Sequence, residues 1–288
     1  MSLREFFLGL DNLFAQKQLA SAESYLSSHL ELAKQAEDIN YQLAVLNEQV
    51  GYYRSLGRFA DSLFAGSEAM AIVSAPDFTI STSAATTMLN VATAMRAAGN
   101  IPEALELYKQ VDEIYSADLN PGDTRRAALY NNMAQAVAAT GNLKTALEYL
   151  NESLDILKIS DSNYAELATN HSNIASLYLA LKDLESAEKH LQEAMEIFEA
   201  LGYDDAHHPA ALAAMAQLMY TKGEYSSAVD YYRLALNKTE AIFGQNIDYA
   251  RICRNCAKVY SVLGMVKEAE GLVQKAKAIE NKLNSAST

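Results

Sequence analysis

The chain has 288 residues, half of them hydrophobic and a fifth charged, with a formal net charge of −13. That length and apolar content support a sizeable core in one large or two ordinary domains, while the acidic balance repels nucleic-acid phosphates and anionic lipid headgroups and argues against both as partners. Two cysteines, Cys253 and Cys256, exclude a disulfide framework.

The N-terminal stretch LREFFLGLDNLF is apolar over too short a run for a signal peptide, with Arg4 beside Glu5. The most apolar later run, 210–216, is far below membrane-spanning length. Both point to a soluble, cytoplasmic chain without membrane contact. A phrase then begins to recur. AQKQLASAESYL at 15–26 is a weak first copy, followed by SLGRFADSLFAG at 55–66 and AAGNIPEALELY at 97–108. ATGNLKTALEYL follows at 139–150, ALKDLESAEKHL at 180–191, TKGEYSSAVDYY at 221–232 and VLGMVKEAEGLV at 262–273. The marker residues of the seven copies are Lys17, Gly57, Gly99, Gly141, Lys182, Gly223 and Gly264, with successive spacings of 40, 42, 42, 41, 41 and 41. So regular a spacing is the signature of a repeat architecture.

Each copy reads as a helical hairpin. Before the marker, apolar residues recur at helical spacing, as in Leu129, Met133 and Val137 or Ile174, Tyr178 and Leu181. The marker supplies the left-handed residue that ends the first helix. A second amphipathic helix follows, as in Ala146, Leu150, Leu154 and Leu157. Pro102 falls in the first turn of such a helix, where its missing N–H is harmless, and Pro76, Pro121 and Pro209 are placed between units. Residues 284–288 read as disordered. Alanine is the second constant: Ala92, Ala134, Ala175, Ala216 and Ala257 precede the marker by seven, and Ala22, Ala104, Ala146, Ala187, Ala228 and Ala269 follow it by five, with Ser62 in the remaining copy. Small residues at fixed points let helices approach closely. A single hairpin cannot bury its apolar face, so the units stack.

With Ala175, Tyr178, Lys182 and Ala187, or Ala257, Tyr260, Gly264 and Ala269, the chain resembles the tetratricopeptide repeat family in its longer, kinesin-light-chain-like form. The loop GYDDAHHPA at 202–210 is similar to that of the longer form. Lys at 17 and 182 departs from the family glycine, and the first copy is degenerate, as an end cap would be. The resemblance implies an all-α, right-handed superhelical solenoid of about seven hairpins forming a single domain. The repeats are expected over 1–38, 39–79, 80–121, 122–162, 163–204, 205–245 and 246–284. It also implies a binding role, with the first helices lining a concave groove.

The charges sort by helix. First helices of units two to seven carry only Glu48, Glu166 and Asp248 as acids, whereas second helices carry Glu103, Glu106, Glu113, Glu148, Glu196 and many more. Nine residues before the marker stand Asn90, Asn132, Asn173 and Asn255. Asn inside a helix costs roughly half a kcal/mol relative to Ala, so its recurrence needs a cause. Its amide can pair with the backbone of an extended peptide, or it can hold neighbouring units in register; both readings stand. Asn47, Asn131, Gln135 and Gln217 add polar groups to the same stripe, Tyr220 an aromatic anchor, and Arg54, Arg96, Arg251, Arg254 and Lys258 positive charge. Arginine forks suit carboxylates, so a protein or peptide partner with acidic side chains or a free C-terminus is expected.

No catalytic constellation, cofactor site or metal site is expected. Cys253 and Cys256 occupy repeat positions held elsewhere by Tyr130 and Met133, so they read as core. His207 and His208 lie beside Asp204 and Asp205 in a polar loop, and His171 sits at the position of Met88. No Gly-rich phosphate loop, nucleophile elbow or H-E-x-x-H occurs. The leading expectation is a non-enzymatic scaffold that holds an extended peptide or partner segment in the groove. The alternatives are a peptide-responsive regulator that sequesters a partner, and a self-assembling module that dimerises through the N-terminal helix.

Overall fold

The computed structural model describes residues 2–75, 78, 81–159, 163–202 and 205–285. Among them are fourteen α-helices and no strand, the all-α class expected. Pro76, residues 203 and 204 of the loop at 202–210, and the tail 286–288 lie outside the described residues. Chain contacts divide the protein into two compact units, Met1–Asp118 and Leu119–Thr288.

The first unit holds three hairpins: α1 (Leu3–Ala15) with α2 (Leu19–Gln35), α3 (Ile39–Ser55) with α4 (Phe59–Val73), and α5 (Thr82–Ala97) with α6 (Ile101–Asp118). The second holds four: α7 (Thr124–Ala139) with α8 (Leu143–Ile159), α9 (Tyr164–Ala180) with α10 (Leu184–Ala200), α11 (His208–Lys222) with α12 (Tyr225–Phe243), and α13 (Ile247–Val262) with α14 (Val266–Ser285). Hairpins also stack through their first helices, α3 on α5 in one unit and α7 on α9 on α11 in the other.

The turn inside each hairpin follows from its marker. All seven markers have positive φ, from 55° at Lys17 to 90° at Gly99. With Gly57 in that conformation, its N–H donates to Arg54 O (3.0 Å) and the next N–H, of Arg58, reaches Tyr53 O (2.9 Å). These two bonds satisfy carbonyls that the end of α3 leaves open. The same pair recurs at Lys182, whose N–H donates to Leu179 O while Asp183 donates to Tyr178 O. Helix starts are capped by side chains: Asp38 accepts from Tyr41 N, Asp183 from Ser186 N and Asn246 from Tyr249 N.

The recurrent alanines are the contact points. Ala92, Ala134, Ala175, Ala216 and Ala257 are at most 3% exposed, and Ala22, Ala104, Ala146, Ala187 and Ala228 are fully buried. Ser62, the exception, is also fully buried; its hydroxyl donates to Val50 O (2.8 Å) and so removes the cost of an unpaired polar group. Larger side chains such as Leu150, Ile174, Leu191 and Tyr232 fill the spaces between.

Two expectations need correction. Pro209 does not lie between units; it stands in the first turn of α11, where, as for Pro102 in α6, no backbone donor is needed. Positions 284 and 285 are helical rather than disordered, because α14 continues past its buried Ala276 and Ile279. No helix among the described residues is long and apolar enough to cross a membrane.

Candidate binding surface on the first helices

Many acids of the second helices face water, among them Glu103, Glu106, Glu148, Glu152, Glu193 and Glu196, whereas Asp112 buries one carboxylate oxygen without a partner among the described residues. The polar groups of the first helices are instead half-buried and bonded to one another. In the first unit Asn90 Nδ2 on α5 donates to Asn47 Oδ1 on α3 (3.0 Å), and Asn47 Nδ2 donates to Thr87 Oγ1 (2.9 Å). In the second, Asn173 Nδ2 on α9 donates to Asn131 Oδ1 on α7 (2.7 Å). One geometry occurs twice: the Asn nine before one marker reaches the Asn ten before the preceding marker. The amides do hold neighbouring hairpins in register. Each pair retains acceptor and donor capacity, because one bond uses a single N–H and one lone pair.

Asn132 is not part of such a pair. Its Nδ2 donates to Ala128 O within α7 (2.9 Å). With Asn131 and Gln135 it lines a hollow of about 240 Å³ whose other walls include Thr169, Glu166 and His207. Glu166 and His207 were not singled out as ligand contacts by the sequence. Burial raises the Glu166 carboxyl above its usual range and the neighbouring His207 works against that rise. Glu48, which replaces Asn at the ladder position of α3, is likewise raised by burial and further by Asp11.

Arg251, Arg254, Asn255 and Lys258 line a second hollow, of about 320 Å³, with Ser261 and Val273. Its charge is partly compensated. Arg254 forks onto the Glu280 carboxylate of α14, with Nε at 2.8 Å and Nη2 closing the second contact. Arg251 pairs with Asp248 (2.9 Å), and Lys258 Nζ donates to Asn255 Oδ1 (3.4 Å). Gln217 and Tyr220 join neither hollow. Gln217 Oε1 accepts from Tyr232 Oη (3.2 Å), and Tyr220 packs against the Tyr225 ring at 5.7 Å.

Cys253 and Cys256 are fully buried free thiols. Burial, with smaller contributions from nearby charges, pushes them up to about 11 and about 12, so the reactive thiolate is suppressed. His171 and His190 meet Nδ1 to Nδ1 at 3.0 Å beside the Tyr178 ring.

Repeat spacing, left-handed markers, buried alanines and paired first-helix amides are joined by a sequence match: the tetratricopeptide repeat profile covers residues 83–159 and 166–241. The chain belongs to the tetratricopeptide repeat family. Solved structures of this fold resemble it at low identity. BtubC (BKLC) from P. vanneervenii shares 19% identity over 86% of this chain and 92% of its own, with a TM-score of 0.56. A Rap protein complexed with Competence and Sporulation Factor shares 16% identity over 98% of this chain and 78% of its own, at a TM-score of 0.70. A putative kinesin light chain of nearly identical TPR-like repeats from Podosopora anserina shares 21% over 71% of this chain and 98% of its own, at 0.52. A search of curated protein sequences gives no match. In tetratricopeptide terms, the half-buried amides lie on first helices, the two hollows are lined mainly by first helices with Ser153, Leu157 and Val273 of second helices closing them, and many exposed acids lie on second helices.

Proposed function

We propose that this protein is a non-enzymatic scaffold whose first-helix face receives an extended segment of a partner protein or a peptide. The observation that carries the reading is the hollow lined by Asn131, Asn132 and Gln135, where amide groups lie open beside the register pair. Amides at this spacing can pair with both the N–H and the C=O groups of an extended backbone. The fold shared with a Rap protein complexed with Competence and Sporulation Factor supports a binding role. Arg251 and Lys258 at the second hollow favour a partner with acidic side chains or a free C-terminus. The reading takes the compartment to be the cytoplasm, in keeping with two free thiols.

The test is selection of binding peptides from a displayed random library, followed by titration calorimetry against variants. Asn132→Ala with Gln135→Ala should abolish binding and leave the melting temperature near that of the parent. Asn173→Ala should lower stability by about 1 kcal/mol, because it strands Asn131. Full binding by the double variant overturns the reading.

A second reading has its own observation. Helix α1 exposes Leu3, Phe7, Leu8 and Phe14, at 36% to 54% of their surface, while Phe6 and Leu10 are buried beneath them. A second copy covering this patch would make a homodimer. Light scattering on the parent and on a Phe7→Ser, Leu8→Ser variant decides it: a dimer that dissociates on substitution supports the reading, and a monomeric parent removes it.

A further inference from the structure

Two guanidinium groups of the first unit, expected from the sequence to bring positive charge to the first-helix stripe, have surroundings unlike those of Arg251 and Arg254. Arg54 and Arg96 each stand three residues before a marker glycine, on α3 and α5, which pack side by side. Four other arginines find counter-charges: Arg58 pairs with Glu23 (2.8 Å) and Asp61 (2.6 Å), Arg125 with Asp123, Arg251 with Asp248 and Arg254 with Glu280, while Arg126 rests on the Tyr130 ring and hydroxyl. Among the described residues no carboxylate pairs with Arg54 or Arg96. Both side chains are half-buried, and Arg96 Nε is shielded from water without any hydrogen-bond acceptor.

Both groups stand near Tyr108. Tyr108, fully buried on α6, donates its hydroxyl proton to Thr93 Oγ1 (3.2 Å) and interacts with Arg96. Burial and the nearby Arg96 charge both disfavour the charged form of Arg54, with only Tyr108 working the other way. A guanidinium does not escape by losing its proton. Two like charges kept out of water without an anion are unfavourable, and an anion from outside the chain would relieve both. At Gly51, three residues before Arg54 on α3, nothing lies within 4 Å of the place a Cβ would occupy.

We propose that Arg54 and Arg96 form a binding site for a phosphoryl dianion. The charge count favours that class: a carboxylate fills one fork and leaves the second positive charge unmatched, whereas a phosphoryl group brings about two negative charges and three acceptor oxygens. The source is a phosphorylated side chain on a segment received by the first helices of this unit. That clause rests on the scaffold reading; the anion site itself does not.

The full chain is titrated with sodium phosphate at constant ionic strength and about pH 7.5, where the dianion prevails, with sodium acetate as control, following the melting temperature and calorimetric affinity. Phosphate should raise the melting temperature progressively while acetate does not. Arg54→Met and Arg96→Met should each weaken phosphate binding about tenfold or more, and should melt no lower than the parent in phosphate-free buffer because the repulsion is gone. Arg54→Lys, which keeps the charge and loses the fork, is the second variant and should weaken phosphate binding as well. An equal response to acetate, no response in the folded parent, or undiminished phosphate binding in the variants overturns the site. Acetyl-Gly-phosphoSer-Gly-amide is titrated alongside its unphosphorylated form. Tighter binding than inorganic phosphate supports the side-chain source, and no binding overturns it. Loss of library-selected peptide binding in Asn132→Ala, Gln135→Ala leaves the phosphate titration unchanged, so the two readings fail separately.

Discussion

Lys182 adopts φ of 62° where five other hairpins place glycine, and Lys17 does so at 55°. A side chain in the left-handed region costs roughly 1–2 kcal/mol, part of which glycine's greater unfolded-state freedom offsets. Lys182→Gly should therefore stabilise the protein by about 0.5–1 kcal/mol. Gly141→Ala should cost about 1 kcal/mol, although nothing lies within 4 Å of the added Cβ, because the cost is in the backbone alone. Urea denaturation of both variants checks the pair of signs. The histidine contact makes a second prediction at this scale. Burial holds both His171 and His190 below the usual histidine range, His171 down to about 4, where a charge on His190 disfavours one on His171 further. Glu193 opposes this at both rings, while Lys158 reinforces it. The unfolded chain thus binds more protons than the folded one between about pH 6.5 and pH 4. Stability from this contact is present above pH 6.5 and is lost as pH falls through that window. Glu48 and Glu166, raised by burial, contribute with the opposite sign, so the readout is the difference between parent and His171→Gln. The variant's denaturation midpoint should fall less between pH 7 and pH 5.

At the scale of the helical hairpin, the alanine five residues past the marker decides how closely the helices approach. Ala146 and Ala187 are fully buried with large neighbours on every side. Replacing either with Leu should overpack the hairpin at a cost of about 1–3 kcal/mol, seen as a lower melting temperature with little change in helical content. Hairpins were legible in the sequence because three signals coincide in each: a left-handed marker, a small residue at fixed distance on either side, and apolar spacing of three and four. The paired amides were only half legible. Asn90, Asn132 and Asn173 share a repeat position and stood out, but the bond runs from Asn173 to Asn131, 42 residues back, and from Asn90 to Asn47, 43 back. Those separations exceed the repeat spacing because the partner sits one position earlier in its own copy. The Arg254–Glu280 fork left no periodic trace, since Glu280 lies on a second helix and has no counterpart in the repeated phrase. That Arg54 and Arg96 have no carboxylate partner among the described residues is an absence, which no sequence pattern announces.

Across the whole molecule, two units of stacked hairpins carry the same chemical division, with exposed acids on second helices and half-buried amides on first helices. The net charge of −13 is thereby kept mostly on surface that favours solubility, leaving the first helices of each unit free of most like-charge repulsion toward an acidic ligand. The central claim is that partner segments bind on the first helices. A crystal structure with a library-selected peptide tests it most directly. The account predicts an extended chain in contact with Asn131, Asn132 and Gln135, its backbone paired with their amides. A peptide seated on the exposed second helices, with those amides untouched, would contradict it.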